Sequence, residues 1–251
     1  MLGIIPAAGA GSRVHPLAFA KELWPVGTRL DGAVERPRAV SEYVVERLVL
    51  AGATRLCFVI APGKYDLPGY YGGQIDGVPI CYAIQEAPLG LCDAIFRALP
   101  FADEDETVAV GLPDTVWFPR EGLDALPDDK LSFLLFPVRQ PRLFDAVSLD
   151  ELGRVTAIEV KVPNPMSTWI WGAWKAPVAV VSELYDLWCS RDRHDQHFGT
   201  LVNEYIAGGG EAIGRRSGTA YVDVGTAHGY REALSLLEGM GGAELADDSS
   251  L

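Results

Sequence analysis

The chain has 251 residues, of which 49% are hydrophobic, and its formal net charge at pH 7 is −13. This length and composition predict one sizeable globular domain. The acidic balance argues against a nucleic-acid-binding protein, because such proteins present a basic face.

The cysteines are far apart in the sequence and each lies in an apolar context, so we expect reduced core thiols rather than disulfides or a zinc site. No signal peptide is recognisable at the start of the chain. No apolar run reaches the roughly 18–20 residues of a membrane span. We therefore expect a cytoplasmic protein with neither a membrane nor a nucleic acid as its partner.

Short apolar runs alternate with segments of helical periodicity along most of the chain. The predicted strands cover residues 3–6, 56–61, 79–84, 107–112 and 131–138, and the predicted helices cover 39–51, 91–99, 181–191, 198–207 and 229–237. Alternation of strand and helix is typical of an α/β fold with a mainly parallel sheet. Residues 27–37 are polar, and residues 62–77 are rich in Gly, Tyr and Pro, so both segments are predicted to be loops.

Residues 139–180 differ from the regular alternation. Apolar runs at 155–160 and 169–173 predict extra antiparallel strands, which would form a lid or small subdomain on the main sheet. We predict one domain over residues 1–240, with this lid inside it. The acidic, small-residue segment 241–251 is predicted to be a disordered tail.

A glycine-rich turn, AAGAGS, directly follows the first predicted strand. Glycines let a backbone approach a ligand, and the exposed N–H groups of such a turn face anions. A Walker phosphate loop would need GxxxxGK[ST], which is absent, and a dinucleotide turn would need a third glycine where Val14 stands. A tight turn without a ligand is also open, but it does not account for Arg13 and Lys21 at such short range.

A third interpretation comes from a resemblance that runs through about 90% of the chain. The opening IIPAAGAGSR with KEL resembles the signature of bacterial sugar-1-phosphate nucleotidylyltransferases, the UTP–glucose-1-phosphate uridylyltransferases and glucose-1-phosphate thymidylyltransferases. The later segments RPRAVSEYVVERLVLAGATRLCFVIAPGK, QEAPLGLCDAIFRAL, VGLPDTVWF, VKVPNPMS and YVDVGTAHGYREAL are similar to further motifs of the family, in the same order.

The resemblance implies a Rossmann-like, three-layer (GT-A-like) nucleotidyltransferase core with a small sugar-binding lid. The implied reaction converts a nucleoside triphosphate and a sugar 1-phosphate into a nucleotide sugar and pyrophosphate, with UTP or dTTP favoured. The family also implies a homo-oligomer. The alternatives are a catalytically silent relative that binds nucleotide sugars, a cytidylyl- or guanylyltransferase for another phosphorylated acceptor, and a dinucleotide-dependent oxidoreductase.

The cations after the glycine turn are the implied catalytic residues. By resemblance, Arg13 holds the phosphates that leave as pyrophosphate, and Lys21 neutralises phosphate charge near the reacting centre. A surface arginine, and a surface ion pair of Lys21 with Glu22, are the structural alternatives. Lys21 follows Arg13 at a spacing of eight positions, whereas the family usually has ten, so the loop between them is shortened.

The nucleotide would be held by the glycine turn and by a second turn after residues 79–84. Ala8, Gly9 and Gly11 are implied to offer backbone contacts to the nucleotide. Gln85 carries an amide that can read a pyrimidine edge, and Gly90 permits the base to lie against the backbone. Asp93, on the following helix, is predicted to cap that helix instead.

Asp114 and Asp223 each follow an apolar strand-like run. Ligands of α/β proteins bind at the carboxyl edge of the sheet, and hard carboxylates there suit Mg²⁺. We therefore predict that the two aspartates bind Mg²⁺. A turn or helix-capping role is the alternative for each.

By resemblance, Lys161 grips the sugar phosphate and Gly172 belongs to the sugar pocket. The residue before Lys161 is Val160, where the family usually has a glutamate that binds sugar hydroxyls. Glu159 is one position away, so on a strand it would face the other side. This departure leaves the identity of the sugar open.

Other features have simpler interpretations. His194 and His197 have the HxxH spacing of a metal site, but a solvated loop or helix start is the preferred explanation because no third ligand is near in the sequence. The tryptophans at 169, 171 and 174 could line a sugar pocket, and core or subunit packing is an equal alternative.

Overall fold

The computed structural model describes residues 1–11 and 17–240. Its helices are α1 (Val40–Leu50), α2 (Asp66–Tyr71), α3 (Leu91–Ala98), α4 (Val178–Ser190), α5 (Phe198–Ala207) and α6 (Ala227–Met240). Its strands are β1 (Leu2–Pro6), β2 (Pro25–Asp31), β3 (Val34–Ala39), β4 (Arg55–Ile60), β5 (Gln74–Ile75), β6 (Val78–Ile84), β7 (Thr107–Gly111), β8 (Thr115–Phe118), β9 (Leu131–Pro137), β10 (Asp145–Leu149), β11 (Val155–Val160), β12 (Trp169–Pro177), β13 (Ala212–Arg215) and β14 (Ala220–Asp223). The predicted tail, 241–251, lies outside the described residues.

Within these described residues, one large mixed sheet organises the fold. Its strands run in the order β11-β10-β12-β7-β1-β4-β6-β5, and β9 pairs with β12 while β13 pairs with β9. The centre is parallel: β7, β1, β4 and β6 all point the same way, and β12 then joins β7 antiparallel. This arrangement confirms the predicted α/β class with a mainly parallel sheet.

Helices cover both faces of this sheet, which makes three layers. Side chains alternate along each strand, so Ile4 faces the core under α3, α4 and α5, while Ile5 faces the core under α1 and α2. Strands buried on both sides read as unbroken apolar runs, as β4 does with its sequence RLCFVI. No helix in the described part of the chain has the length and apolarity needed to cross a bilayer.

The segment 27–37, predicted to be a loop, is instead the β2–β3 hairpin. The side chains of the hairpin are largely exposed, so its sequence lacks the apolar pattern that would predict strands. Glu42 at the start of α1 anchors it: the buried carboxylate accepts hydrogen bonds from Arg36 Nη1 at 2.9 Å, Arg29 Nη1 at 3.1 Å and the Ala39 N–H at 3.0 Å. Charged groups from the neighbouring helix therefore hold the hairpin in place.

Residues 62–77 were also predicted to be a loop, and that prediction is wrong in part. They include the short helix α2 and strand β5, which pairs antiparallel with β6. Pro68 and Gly69 inside α2 hide its helical character in the sequence. Its buried Leu67 and Tyr71 pack into the core under α1, so tertiary packing overrides the local propensity.

The strands predicted for the lid are present, but they belong to the large sheet. β12 lies inside the sheet between β7 and β10, and β11 forms the outer edge beyond β10. The region 139–180 therefore does not stand apart from the main sheet as a separate subdomain. The prediction that residues 139–180 act as a sugar-binding lid stays a prediction, as does the single domain over 1–240.

Candidate active site

The site is built where the parallel strands end. β1, β4, β6 and β7 run side by side in the same direction, so the segments that follow them meet along one edge of the sheet. Those segments carry the glycine turn, Lys64, Gln85 and Asp114. This edge is where open α/β sheets bind ligands.

One cavity at this edge, the turn cavity, has a volume of about 540 Å³ and is lined by Ala8, Lys21, Lys64 and Gln85 together with the segments around them. The structure thus brings together three residues predicted from separate motifs, Ala8, Lys21 and Gln85. Gly11 adopts φ +66 and packs against the aliphatic part of Lys21. Gly9 is exposed beside this turn.

The Gln85 amide is held in one orientation. Its Nε2 donates to the Gly90 carbonyl at 3.0 Å and to Asp93 Oδ2 at 2.8 Å, and Asp93 also accepts from Arg97 Nε at 2.7 Å. Asp93 therefore positions Gln85 and does not cap α3, which corrects the predicted role. Gln85 lines the turn cavity, and with both Nε2 hydrogens engaged its carbonyl oxygen is the group that it can still offer to a ligand.

A buried ion pair supports the floor of the turn cavity. Lys64 Nζ donates to Glu22 Oε1 at 2.7 Å and Oε2 at 2.9 Å, and also to the Ala7 carbonyl at 2.7 Å. Burial raises the pKa of Glu22, and the nearby Lys64 and Lys21 only partly oppose that rise. The sequence did not single out Lys64. The alternative in which Lys21 forms a surface pair with Glu22 is not observed, because Glu22 is buried and pairs with Lys64.

A second cavity, the aspartate cavity, has a volume of about 390 Å³. Its lining includes four of the predicted site residues, Gly90, Asp114, Lys161 and Asp223. The peptide N–H of Val224 donates to the Asp114 carbonyl at 2.8 Å, which ties the two aspartate segments together. The structure thus brings the two predicted metal ligands to one cavity.

An ion pair between Lys21 and Asp114 joins the two cavities. Lys21 lines the turn cavity, Asp114 lines the aspartate cavity, and the Lys21 ammonium donates to Asp114 Oδ2. Burial lowers the pKa of Lys21, but the carboxylates of Asp114, Glu22 and Asp223 outweigh it and leave the pKa above its usual value. Lys21 is therefore a fixed positive charge at the junction.

Tyr221 lies beside the two aspartates. Burial raises its pKa well above the usual range, and the neighbouring Asp223 and Asp114 raise it further. The phenol therefore stays neutral. Gly172 packs behind it: a Cβ at this position would lie 2.5 Å from the Tyr221 ring and 2.6 Å from that of Phe136. Gly172 thus supports the cavity wall from behind, and its predicted contact with the sugar stays a prediction.

Gly90 connects the turn cavity and the aspartate cavity through its backbone. Gly90 adopts φ +93, and a Cβ there would lie 2.6 Å from the Gln196 carbonyl oxygen, so only glycine fits. The Leu91 N–H donates to the same carbonyl at 2.8 Å. Gly90 also accepts the Gln85 hydrogen bond, and the residue after Gln196, His197, lines the aspartate cavity.

Two residues of the aspartate cavity were not assigned to a site by the sequence analysis. Asp145 begins β10, a strand that was not predicted, and His197 was expected in a solvated loop or helix start. Trp171, for which both a pocket and a packing role were open, also lines this cavity. Lys161 adopts φ +50, a conformation unusual for a side-chain-bearing residue and frequent at functional sites. Arg13, predicted to hold the leaving phosphates, lies outside the described residues.

Comparison with known proteins decides the family. The family model for nucleotidyl transferases matches residues 2–239, nearly the whole chain. The chain belongs to the nucleotidyl transferase family. The resemblance inferred from the motifs is thereby confirmed, and with it the prediction of an enzyme of the nucleotidyltransferase class.

Individual relatives of this nucleotidyl transferase agree with that assignment. A glucose-1-phosphate thymidylyltransferase of Neisseria meningitidis is 27% identical over 251 residues, covering 95% of this chain and 83% of that protein. A Bacillus anthracis structure assigned as a glucose-1-phosphate thymidylyltransferase superposes with a TM-score of 0.79 at 24% identity, over 94% of this chain and 95% of that one. UTP-bound UGPase from Acinetobacter baumannii gives 0.75 at 19%, over 97% and 95%. These two structures establish the shared fold.

Proposed function

We propose that this nucleotidyl transferase moves a nucleotidyl group from a nucleoside triphosphate, UTP or dTTP by preference, to a sugar 1-phosphate and releases pyrophosphate. The observation that carries the proposal is the Lys21–Asp114 ion pair between two cavities. A reaction between two polyanions needs a pocket for each and a positive charge where they meet. The names of the thymidylyltransferase relatives support this choice of substrates.

In the proposed reaction, an oxygen of the sugar phosphate attacks the α-phosphorus in line. A new P–O bond forms, the bond from the α-phosphorus to the bridging oxygen breaks, and pyrophosphate leaves with the electron pair. Lys21 offsets the charge at the α-phosphate, Arg13 binds the departing phosphates, and Lys161 orients the attacking phosphate. Backbone N–H groups of the glycine turn complete the anion binding.

Asp114 and Asp223 would hold a divalent cation, for which we propose Mg²⁺. Among residues 1–11 and 17–240, no cluster of three or more His, Cys, Asp or Glu side chains forms a metal cage. Mg²⁺ is commonly bound by one or two carboxylates and completed by substrate phosphates and water, so a pair of carboxylates in one cavity fits it. When bound, the ion supplies further charge neutralisation for the phosphates.

The preference for uracil or thymine follows from the fixed amide of Gln85. Its Nε2 is engaged by Gly90 and Asp93, so its carbonyl oxygen is the group that a base meets. Uracil and thymine carry an N–H at ring position 3 that can donate to this oxygen, whereas cytosine has an acceptor there. A mismatch would leave two acceptors face to face, which is unfavourable in a buried site.

The test is pyrophosphate release with Mg²⁺, across UTP, dTTP, CTP, GTP and ATP, each against several sugar 1-phosphates. The expected result is release with UTP or dTTP and at least one sugar 1-phosphate, dependent on the divalent ion. Release only with CTP or GTP would overturn the base preference. Nucleotide binding without release for every pair would identify a catalytically silent relative and overturn the proposed function.

A further inference from the structure

The aspartate cavity contains buried polar atoms that no described residue satisfies. Among the described residues, neither Asp145 Oδ1 nor Trp171 Nε1 has a hydrogen-bond partner, although both side chains line the cavity. Buried polar groups are nearly always paired, and leaving one unpaired costs free energy. An unsatisfied acceptor next to an unsatisfied donor indicates a place that a ligand completes.

The position of Asp145 in the sheet is informative. It lies directly opposite Val160 in the antiparallel β10–β11 pairing, and opposite residues in such a pair share one face. Asp145 Oδ2 and Val160 Cγ2 both approach the same point, the Cβ position of Gly199 on α5, at 3.4 and 3.0 Å. Asp145 therefore places a carboxylate on the same face of the β10–β11 pair as the apolar side chain of Val160.

The neighbouring glutamate cannot serve this cavity. Glu159 pairs with Ala146 on the opposite face of the two strands, as the alternation of strand side chains predicts. Its carboxylate accepts a hydrogen bond from the Met166 N–H at 2.8 Å and so holds the loop before β12. Asp145 is thus the acidic side chain that the β10–β11 pair offers to the cavity.

The surroundings of Asp145 favour a ligand with neutral donors. Burial raises the pKa of Asp145, and the nearby Lys161 and His197 oppose the rise, as does the Trp171 indole, which lies close without the geometry of a hydrogen bond. A hydroxyl group can donate to the carboxylate and accept from the indole N–H at the same time. A carboxylate on the ligand would be repelled.

We propose that Asp145 is the specificity-determining carboxylate for the acceptor: it accepts a hydrogen bond from a hydroxyl of the sugar, with Trp171 orienting the pair. This inference rests on the proposed function and deepens it. It identifies the acceptor as a neutral sugar 1-phosphate with a hydroxyl at the position read by Asp145. Sugar 1-phosphates that carry a carboxylate in place of a neutral group are poor acceptors.

The experiment measures steady-state kinetics of wild type, Asp145→Asn and Asp145→Ala with the best acceptor from the grid. We expect the KM for the sugar 1-phosphate to rise about 10- to 100-fold, the range for a hydrogen bond to a charged group. The KM for the nucleotide and kcat should change less than about threefold. Glu151→Gln, an exposed carboxylate in the β10–β11 turn, is the matched control and should behave as wild type.

A comparison with deoxy sugar 1-phosphates locates the hydroxyl. Removing the hydroxyl that Asp145 reads should weaken wild type about as much as Asp145→Ala does, and the variant should lose nothing further with that analogue. In Asp145→Ala with Val160→Glu, a carboxylate returns to the same face from the other strand, and part of the lost affinity should return. This rescue separates recognition from a merely structural role.

The outcomes are distinct. If wild type releases pyrophosphate but Asp145→Asn and Asp145→Ala keep its KM for every acceptor, the assignment of Asp145 is wrong while the proposed function stands. Additive losses with every deoxy analogue also contradict the assignment. If wild type turns over no pair, the proposed function fails and the role of Asp145 falls with it. Circular dichroism and thermal unfolding establish that each variant is folded.

Discussion

The turn cavity and the aspartate cavity lie side by side at one edge of the sheet, yet they satisfy their polar groups differently. In the turn cavity, Glu22 is paired with Lys64, and the donors of Gln85 are taken by Gly90 and Asp93. In the aspartate cavity, Asp145 Oδ1 is buried without a partner among the described residues. These polar groups of the turn cavity thus have partners within the protein, whereas the aspartate cavity holds a buried acceptor for which we propose a ligand as the partner.

The difference separates the origins of stability and specificity. Paired groups in the turn cavity hold their geometry before any ligand arrives, so the proposed recognition of a base there would be preorganised. In the aspartate cavity, burial of the Asp145 carboxylate without a hydrogen bond to Oδ1 costs free energy in the folded state. A ligand that donates to this oxygen would recover that free energy. Variants on the two sides should therefore affect different measurements.

The junction should show the largest effect, because it serves both cavities. Asp114→Asn removes the carboxylate that pairs with Lys21 and that would bind the metal ion. We expect kcat for pyrophosphate release to fall roughly 10³-fold. Asp105→Asn, an exposed carboxylate in the loop before β7, should keep wild-type rates. Comparable rates for the two variants would remove Asp114 from the reacting centre.

Stability should distinguish the two sides next. Lys64→Met leaves the fully buried Glu22 without its main partner, so the free energy of unfolding should fall by roughly 3 kcal/mol. Asp145→Asn removes a charge whose burial is only partly offset by the nearby Lys161 and His197, and it should change the free energy of unfolding by less than about 1 kcal/mol. Urea denaturation measures both, with Lys130→Met at an exposed pair as the control. Equal losses for Lys64→Met and Asp145→Asn would contradict the comparison.

Preorganisation of the base site can be weakened through Asp93. In Asp93→Asn the new side chain can donate as well as accept, so the orientation of the Gln85 amide is no longer fixed from that side. We expect the ratio of kcat/KM for UTP over CTP to fall about 10-fold, with the KM for the sugar 1-phosphate unchanged. An unchanged ratio would mean that Gln85 does not read the base.

The smallest effect concerns pH. Burial raises the pKa of Asp145 in the folded protein above that of the unfolded chain, about 3.9. Its contribution to stability is therefore present below about pH 4 and is lost as pH rises through the raised pKa. Wild type should therefore lose stability relative to Asp145→Asn as pH rises from about 4 through the raised pKa of Asp145. Parallel stability curves from urea titrations would contradict this.

Much of the fold could be predicted because buried strands are recognisable in the sequence as continuous apolar runs. β1, β4 and β7 are apolar runs covered on both faces, and helix α5 begins and ends where its periodicity predicts. The β2–β3 hairpin and α2 were missed for the opposite reason. Polar, exposed side chains form the hairpin, and contacts distant in sequence, such as those of Glu42 with two arginines, stabilise it.

The site divides along the same line. Four site residues belong to short, contiguous sequence motifs and could be identified from them: Lys21, Gln85, Asp114 and Asp223. The structure brings each of them to one of the two cavities. Asp145 belongs to no recognised sequence motif of this kind. Its place opposite Val160 depends on the pairing of two strands, which local sequence does not reveal. The alternation around FDAVSL, an acid opening an apolar strand, is the signal that could have found it.

The contact of Gly90 with Gln196 links the two cavities through the backbone, so under the proposed function it would couple the binding of the two substrates. On one side Gly90 accepts the hydrogen bond of the Gln85 amide, and on the other it abuts the segment that carries His197 into the aspartate cavity. If Gln85 reads the base as proposed, a bound base that fixes Gly90 would also restrain that segment. By thermodynamic linkage, whatever factor the nucleotide adds to the affinity for the sugar phosphate, the sugar phosphate returns to the nucleotide.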